Sequence, residues 1–423
     1  MQKIIEKLAV PKVILRYIMM SFTNAETIKN LILNVKIMNV LDSYSKDILI
    51  LAKNGFQWNC KYGHLTAAKW LYFLGDVDIH ADSEGAFRWS CSNGHLVLAQ
   101  WLYSLGNVNI RADNESAFLS ACENGHLDVA KWLYQLGTTC SICNNNNNNN
   151  ININIHIDNE GAFRWSCNAG HLAVAKWLYS LGTIDIHADN DGAFRWSCKN
   201  GHLTVAKWLL GLGTTCCQPT CPSGTMYSLS NINIHACDEY AFTQSCDNGH
   251  LAVAQWLLGL ETRYSLGTIN IHADNDAAFR WSCGSGHLAV AQWLYSLGVN
   301  IHVANEDAFI WACHNGHLTV AKWLYSMGID IHAENEFAFK WSCGHGHLAV
   351  AQWLLGLGTT CSLDNINIHD ESECAFRLSC SNGHLAVAQW LYSLGNINIH
   401  ARDEYAFHYS TDKILNWLNT IKN

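Results

Sequence analysis

The sequence predicts an all-α solenoid of stacked helix-turn-helix units with short hairpin-like loops, and three observations carry that expectation. A Gly-His-Leu triplet recurs with its histidine at positions 64, 95, 126, 171, 202, 250, 287, 317, 347 and 384, in steps of 31, 31, 45, 31, 48, 37, 30, 30 and 37 residues. Self-similarity at a period of roughly 20 to 50 residues marks an array in which each unit buries its apolar faces against its neighbours. Each unit also holds two stretches of helical periodicity separated by a glycine step. Finally, the chain of 423 residues is 49% hydrophobic and 14% charged with three prolines, which suits a mostly helical protein with a core to bury.

One unit, from Ala188 to Gly213, reads A-D-N-D-G-A-F-R-W-S-C-K-N-G-H-L-T-V-A-K-W-L-L-G-L-G. Its first helix is expected from Asp191 to Lys199, with Asp189 or Asn190 as N-cap and Asn200-Gly201 as a left-handed stop. The second is expected from His202 to Leu212, where Thr204, Lys207 and Gly211 make one polar stripe on a helix otherwise apolar, so it should be sandwiched between neighbours. Gly213 ends it, and Ile184-Asp185-Ile186-His187 of the preceding unit typifies a short extended return.

These residues resemble the ankyrin repeat, whose two antiparallel helices and hairpin-like loop carry T-P-L-H-x-A-A-x-x-G-H-x-x-V-V-x-x-L-L-x-x-G. Ala193-Phe194 stand for Pro-Leu, Arg195 for His, Ser197-Cys198 for Ala-Ala, and Gly201-His202 match outright. Val205-Ala206, Trp208-Leu209 and Gly213 then take the places of V-V, L-L and the closing Gly. The likeness covers about Asn54 to Leu418, and the A-F-R-W-S-C-x-N-G-H-L variant with its asparagine tract looks most like ankyrin-repeat proteins of large amoeba-infecting DNA viruses. The unit is about two residues shorter than the usual 33, the shortfall lies in the loop, and the T-P opening is absent.

Within the units, four columns of side chains recur. Trp58, Trp89, Trp165, Trp196, Trp281, Trp311 and Trp341 form one, broken at Ser120, Gln244 and Leu378; Trp70, Trp101, Trp132, Trp177, Trp208, Trp256, Trp293, Trp323, Trp353 and Trp390 form another. Both replace family leucines and are expected in the core, with the first column able to reach the concave face. Ten cysteines, from Cys60 to Cys380, occupy the second small alanine and should pack as small hydrophobes. Arg88, Arg164, Arg195, Arg280, Lys340 and Arg377 follow the phenylalanine of the first helix; they are expected in solvated inter-repeat ion pairs, with partner contact as the alternative. Trp89, Trp196, Trp281 and Trp341 complete this candidate interaction set.

Besides the Gly-His histidines, nine more occupy an Ile-His position: His80, His156, His187, His235, His272, His302, His332, His369 and His400. The resemblance implies loop-tying hydrogen bonds for such positions. Zinc needs about four ligands around one point rather than one per unit, so no metal or other cofactor is expected from them. Protonating all 22 histidines would move the formal charge from −9 to +13, so stability should fall near pH 5 if the rings are held neutral.

Extra residues always follow the second helix, near 138–154, 214–230, 261–267 and 359–365. Asn144–Asn150 is a polar homopolymer, whereas the second insert carries Pro219, Pro222, Cys216, Cys217 and Cys221 and is the better candidate for specific contact or a zinc or thiol-redox site, with Cys140-Ser-Ile-Cys143 as another cluster. The array is expected over 47–402 in ten units. Residues 403–423 form a capping repeat whose second helix exposes Asp412, Lys413, Asn416 and Asn419. Residues 1–46 form an N-terminal helical cap. In that segment Val10-Pro11-Lys12-Val13-Ile14-Leu15 is similar to a degenerate F-box, the module that joins substrate receptors to a ubiquitin ligase, although Val10 and Val13 depart from the motif and its closing tryptophan is missing. Cap and F-box both stay open.

With a formal charge of −9 and no long basic run, nucleic-acid binding is disfavoured. No apolar stretch reaches about 18 residues, and Lys3, Glu6, Lys7, Lys12 and Arg16 interrupt the first 20, which speaks against a membrane span or a signal peptide and for an intracellular, cytoplasmic monomer, in the host cell if viral. No Ser-His-Asp or phosphate-cradling arrangement stands outside the repeat logic, so no enzyme is expected. The reading is a non-enzymatic scaffold that binds a folded protein, expected to be a host protein, through its concave face and loops; the alternatives are a ubiquitin-ligase adaptor and a zinc or thiol-redox protein.

Overall fold

The Gly-His step turns each first helix into its partner as the sequence requires. A computed structural model of the chain describes residues 55–73, 77–143, 152–214, 232–260, 267–358 and 366–422, and all regular structure among them is helical. The Ala81–Ser92 helix ends with Gly94 at φ 76°, where the His95 N–H donates to the Ser90 carbonyl at 2.8 Å and the Gly94 N–H to that of Cys91 at 3.1 Å. Those two bonds satisfy carbonyls that the helix end would otherwise leave bare. Gly201 stops the Ala188–Lys199 helix in the same way, at φ 78°.

The chain divides into two compact units, Met1–Asp189 and Asn190–Asn423. The first contains helical residues 55–61 with Leu65–Phe73, and then the pairs Ala81–Ser92 with Leu96–Ser104, Ala112–Glu123 with Leu127–Cys143, and Ile157–Asn168 with Leu172–Ser180. The second contains Leu203–Thr214 and six pairs, from Ala236–Asp247 with Leu251–Leu258 to Ala401–Tyr409 with Asp412–Ile421. In both, a fully buried phenylalanine on the first helix, such as Phe118 or Phe279, joins the Val-Ala-x-x-Leu stripe of the second in the core. Burying such a side chain contributes roughly 1.5–3 kcal/mol. Val205, Ala206 and Leu209 are buried while Thr204 and Lys207 are exposed, as a sandwiched helix requires.

Three local expectations are corrected. Asp189 and Asn190 are not N-caps: with Asp191 they form a left-handed turn, at φ 58°, 51° and 58°. The same three-residue turn recurs at Asp82-Ser83-Glu84 and Asp274-Asn275-Asp276, and no side-chain cap bond is made at those helices. Asp and Asn tolerate this conformation through their short polar side chains. The return between units is a turn rather than extended strand. Where Gly213 was expected to stop a second helix, the helix continues to Thr214, and the Leu127–Cys143 helix likewise runs past Gly137, because the Thr-Thr-Cys that follows each glycine contains no breaker.

Asp412, Lys413, Asn416 and Asn419 are exposed while Ile414 and Leu418 are buried, and Thr411 covers Gly383 where other units place a histidine. Residues 1–46, with the F-box-like segment, and insert residues 144–151, 215–231, 261–266 and 359–365 lie outside the described residues.

Candidate protein-interaction surface

Neighbouring pairs within each unit are joined first by histidine. The Nε2 of His95 lies 3.0 Å from the carbonyl of Lys61, which can only accept, so the ring carries its hydrogen on Nε2. His126, His317 and His347 bond the backbone of Ser92, Gly284 and His314 in the same register, two residues before the preceding Gly-His glycine. Burial, followed by the neighbouring histidines of the column, holds His126, His250 and His317 below the ordinary imidazole range.

The Ile-His histidines make a second tie. His80 Nδ1 donates to Glu84 at 2.9 Å, and the same Glu84 oxygen accepts the Asn109 N–H of the next loop at 3.1 Å. His235, Glu239 and Asn270 repeat this clamp at 2.8 and 3.1 Å. Arg111 replaces the histidine once and reaches Glu115 at 2.7 Å, a substitution visible in the sequence as Ile-Arg-Ala but not anticipated. His156, His272, His302, His332, His369 and His400 likewise face the carboxylate four residues on, and among the described residues no three His, Cys, Asp or Glu side chains form a group that could hold a metal ion.

The cationic column belongs to the left-handed turns. Arg88 Nε donates to the Ser83 carbonyl and Nη2 to that of Asp82, both at 2.8 Å, while Nη1 reaches Asp113 of the next turn at 2.6 Å. Arg164 and Arg280 repeat the three contacts, on Asp189 and Asp307 respectively. Arg195 bonds the Asn190 carbonyl and Arg377 those of Ser372 and Glu371, each with its guanidinium 5.1 Å from a tyrosine ring, Tyr240 and Tyr405. Lys340 bonds Asp370 and Glu371; burial pulls its ammonium down, but these two carboxylates outweigh that and leave it above the ordinary lysine range. Inter-repeat pairs exist as expected and carboxylates such as Asp113 and Asp189 are exposed, but four of the cations, Arg164, Arg195, Lys340 and Arg377, are buried, the three arginines against turn carbonyls and Lys340 against Asp370 and Glu371.

The two tryptophan columns part company. The second packs at the seams: Trp132 sits against Phe87 and Tyr103, with ring centroids 6.2 and 5.9 Å away, and Trp323 against Phe279 and Tyr295 at 6.3 and 6.0 Å. Trp417 extends this column into the capping repeat, on Phe376 and Tyr392. The first column is not core. Trp58, Trp89, Trp281 and Trp311 are 53, 45, 39 and 44% exposed, and Trp165, Trp196 and Trp341 are half-buried, because the first helix spends its apolar face on Phe and Cys. In the second unit Trp281, Trp311 and Trp341 follow one another on successive first helices, and Trp311 rests on Gly284.

Here the surface is concave. A groove of about 470 Å³ is lined by Ala304, Ile310, Trp311, Glu334, Phe337 and Trp341, together with Asp307 and His314. Phe337 is 38% exposed and packs on Trp341, with centroids 5.3 Å apart. His345 Nδ1 donates to the Trp341 carbonyl at 3.1 Å, so its Nε2 accepts from His314 Nε2 at 2.9 Å. Burial, then the neighbouring His345 and His347, pull His314 down to about 4. Neither Phe337 nor this histidine pair was anticipated; the large aromatic at a position that is Gly or Ala in several other units is the signal that could have found it.

The ten column cysteines are buried, and burial pushes the thiols of Cys60 and Cys380 up to about 12 and the others higher still. Such thiols are inert packing groups. Cys216, Cys217 and Cys221 lie outside the described residues, as do the side chains of Cys140 and Cys143.

No curated protein matches this chain. Among solved structures, the chain is similar to one described as the crystal structure of the human ASB11 ankyrin repeat domain, with 18% identity over 55% of this chain and 97% of that one and a TM-score of 0.36. No helix among the described residues is long and apolar enough to cross a membrane. The family described as ankyrin repeats, in three copies, matches residues 56–146, 242–335 and 309–403, more than half of the sequence. The chain belongs to the ankyrin-repeat family.

Proposed function

We propose that this chain is a non-enzymatic scaffold that grips a folded protein partner with the exposed tryptophans of its first helices. Ankyrin repeats are protein-interaction modules, and their proteins are typically binding domains rather than enzymes. The observation that carries the proposal is the row of Trp281, Trp311 and Trp341, large aromatics left open to solvent on successive helices of one unit. Tryptophan at such positions is over-represented among residues that dominate binding energy. Trp196 extends the contact set within that unit and Trp89 is an exposed tryptophan of the other, while Arg88, Arg164, Arg195, Arg280, Lys340 and Arg377 hold left-handed turns, each within its own unit. The likeness of the repeat variant to viral ankyrin proteins supports a host protein as partner. In the adaptor version, residues 1–46 recruit a ubiquitin-ligase core and the array recruits the protein to be modified.

The test is affinity capture from eukaryotic lysate with the full chain, a form lacking residues 1–46, and the W281A/W311A double variant. A specific partner should be recovered by the first two and lost, by roughly 2 kcal/mol or more of affinity, from the third, whose melting temperature stays within a few degrees of the parent. Equal recovery by the double variant rejects the tryptophan face. Ligase core subunits recovered only with residues 1–46 present establish the adaptor version.

A further inference from the structure

The cationic column is interrupted at Ile310, but the place a cation would fill is still there. In the intact units a guanidinium donates to the carbonyls five and six residues before it, as Arg88 does to Ser83 and Asp82 and Arg280 to Asn275 and Asp274. Counting back from Ile310 gives Asn305 and Ala304, held in the same left-handed turn at φ 53° and 52°. Isoleucine supplies no donor to them. The acidic partner is also present: Glu334 opens the next turn as Asp113 does after Arg88, and among the described residues no cation pairs with it. Asn305 Nδ2 donates to one Glu334 oxygen at 2.7 Å, and a carboxylate can accept several further bonds. Asp307, by contrast, is already paired with Arg280 at 2.7 Å.

Beside the buried Ile310 opens the groove of about 470 Å³, lined by Ala304 and Glu334 and with Trp311, Phe337 and Trp341 as aromatic walls. The column is also interrupted at Gln57, Leu119 and Thr243, but Leu119 and Thr243 are followed by Ser120 and Gln244, and Gln57, which precedes Trp58, itself donates to Asp82 of the next turn at 2.7 Å. Among these breaks, Ile310 is the one that is followed by a tryptophan and supplies no donor of its own.

We propose that the groove binds the guanidinium of an arginine side chain presented by the partner protein. It takes the part that Arg88 and Arg280 play within their own units, donating to the Ala304 and Asn305 carbonyls and to Glu334 while its plane lies against the indoles of Trp311 and Trp341. A guanidinium fits better than an ammonium because its five donors lie in a rigid plane that can bond and stack together. The chain's formal charge of −9 favours a cationic guest. Burial, then His345 and His347, pull His314 down to about 4, so at neutral pH it is uncharged and does not repel such a guest. The proposal rests on the protein-binding reading and names the group recognised.

The experiment titrates the full chain, labelled with 15N at tryptophan, with N-acetylarginine methylamide, N-acetyllysine methylamide and N-acetylnorleucine methylamide. The indole signals of Trp311 and Trp341 are assigned with W311F and W341F. The arginine compound should shift both signals; the lysine compound should bind at least about threefold more weakly and the norleucine compound at least about tenfold more weakly. I310R restores the repeat's own cation, so it should fold at least as stably as the parent and abolish the shift. E334Q should weaken binding by about threefold to tenfold. The proposal is overturned by no shift up to about 50 mM, by norleucine or lysine binding as well as arginine, or by I310R binding undiminished. Failure here with the capture result intact rejects the arginine site alone, whereas loss of both rejects the tryptophan face as well.

Discussion

A histidine that must donate to a backbone carbonyl while lying beside the histidine of the next pair is a group the fold prefers uncharged. His126, His250, His317, His347 and His384 are all held below the ordinary imidazole range, by burial first and then by neighbouring histidines, and His314 falls to about 4. The unfolded chain then binds more protons than the folded one once the pH drops through about 6.5. Stability is full above that value and is lost progressively as the pH falls toward the folded-state values. The melting temperature should therefore be lower at pH 5.5 than at 7.5, and a flat profile between the two would contradict the arrangement. The sequence already showed the repeated histidines and the cysteine column, because identity and spacing are enough to mark a packed position. It did not show that the first tryptophans are exposed. That depends on whether phenylalanine or tryptophan wins the inner side of a helix, which similar hydrophobicity at positions two apart leaves undecided.

At the scale of a helix and its turns, the Gly-His step is the most constrained point of each pair. Gly286 sits at φ 82°, and a Cβ built there would lie 2.5 Å from the Nδ1 of His317 in the next pair. G286A combines backbone strain with that overlap and should cost about 2–4 kcal/mol, read as a lower midpoint in urea unfolding. The helix stop itself was legible, since Asn-Gly after an apolar run has one meaning. The left-handed turn at Asp189-Asn190-Asp191 was not: Asp and Asn before a helix suit an N-cap equally well, and the turn forms both where an arginine bonds its carbonyls and at Ala304-Asn305-Glu306, where Ile310 cannot. Arg195 stood in the sequence five residues from its acceptor, a separation that helix-surface rules do not link.

For the whole molecule, the repeat made the helical solenoid class readable, while the groove at Ile310 was not readable, because it is defined by a residue that fails to do what its counterparts do. Pairs touch only their neighbours, so stability should be close to a sum over pairs and junctions. Deleting residues 286–315 removes one complete period and joins Ser285 to Gly316, so the Ala273–Gly284 helix meets Leu318–Ser326 across an unchanged glycine-histidine turn. The shortened protein should keep its helicity per residue by circular dichroism and melt cooperatively. Deleting residues 288–302, half a period, should abolish the cooperative transition. If both deletions behave alike, the junctions are not equivalent.

That equivalence reaches past folding into heredity. Because Gly63 receives His95 just as Gly286 receives His317, the surface that ends one pair accepts the beginning of another from elsewhere in the same unit. A gene encoding such junctions can gain or lose a period by misaligned recombination and still yield a protein that packs. The length of the array is then free to drift, while a single exception within it, such as an isoleucine in place of an arginine, is carried along intact as a potential point of recognition.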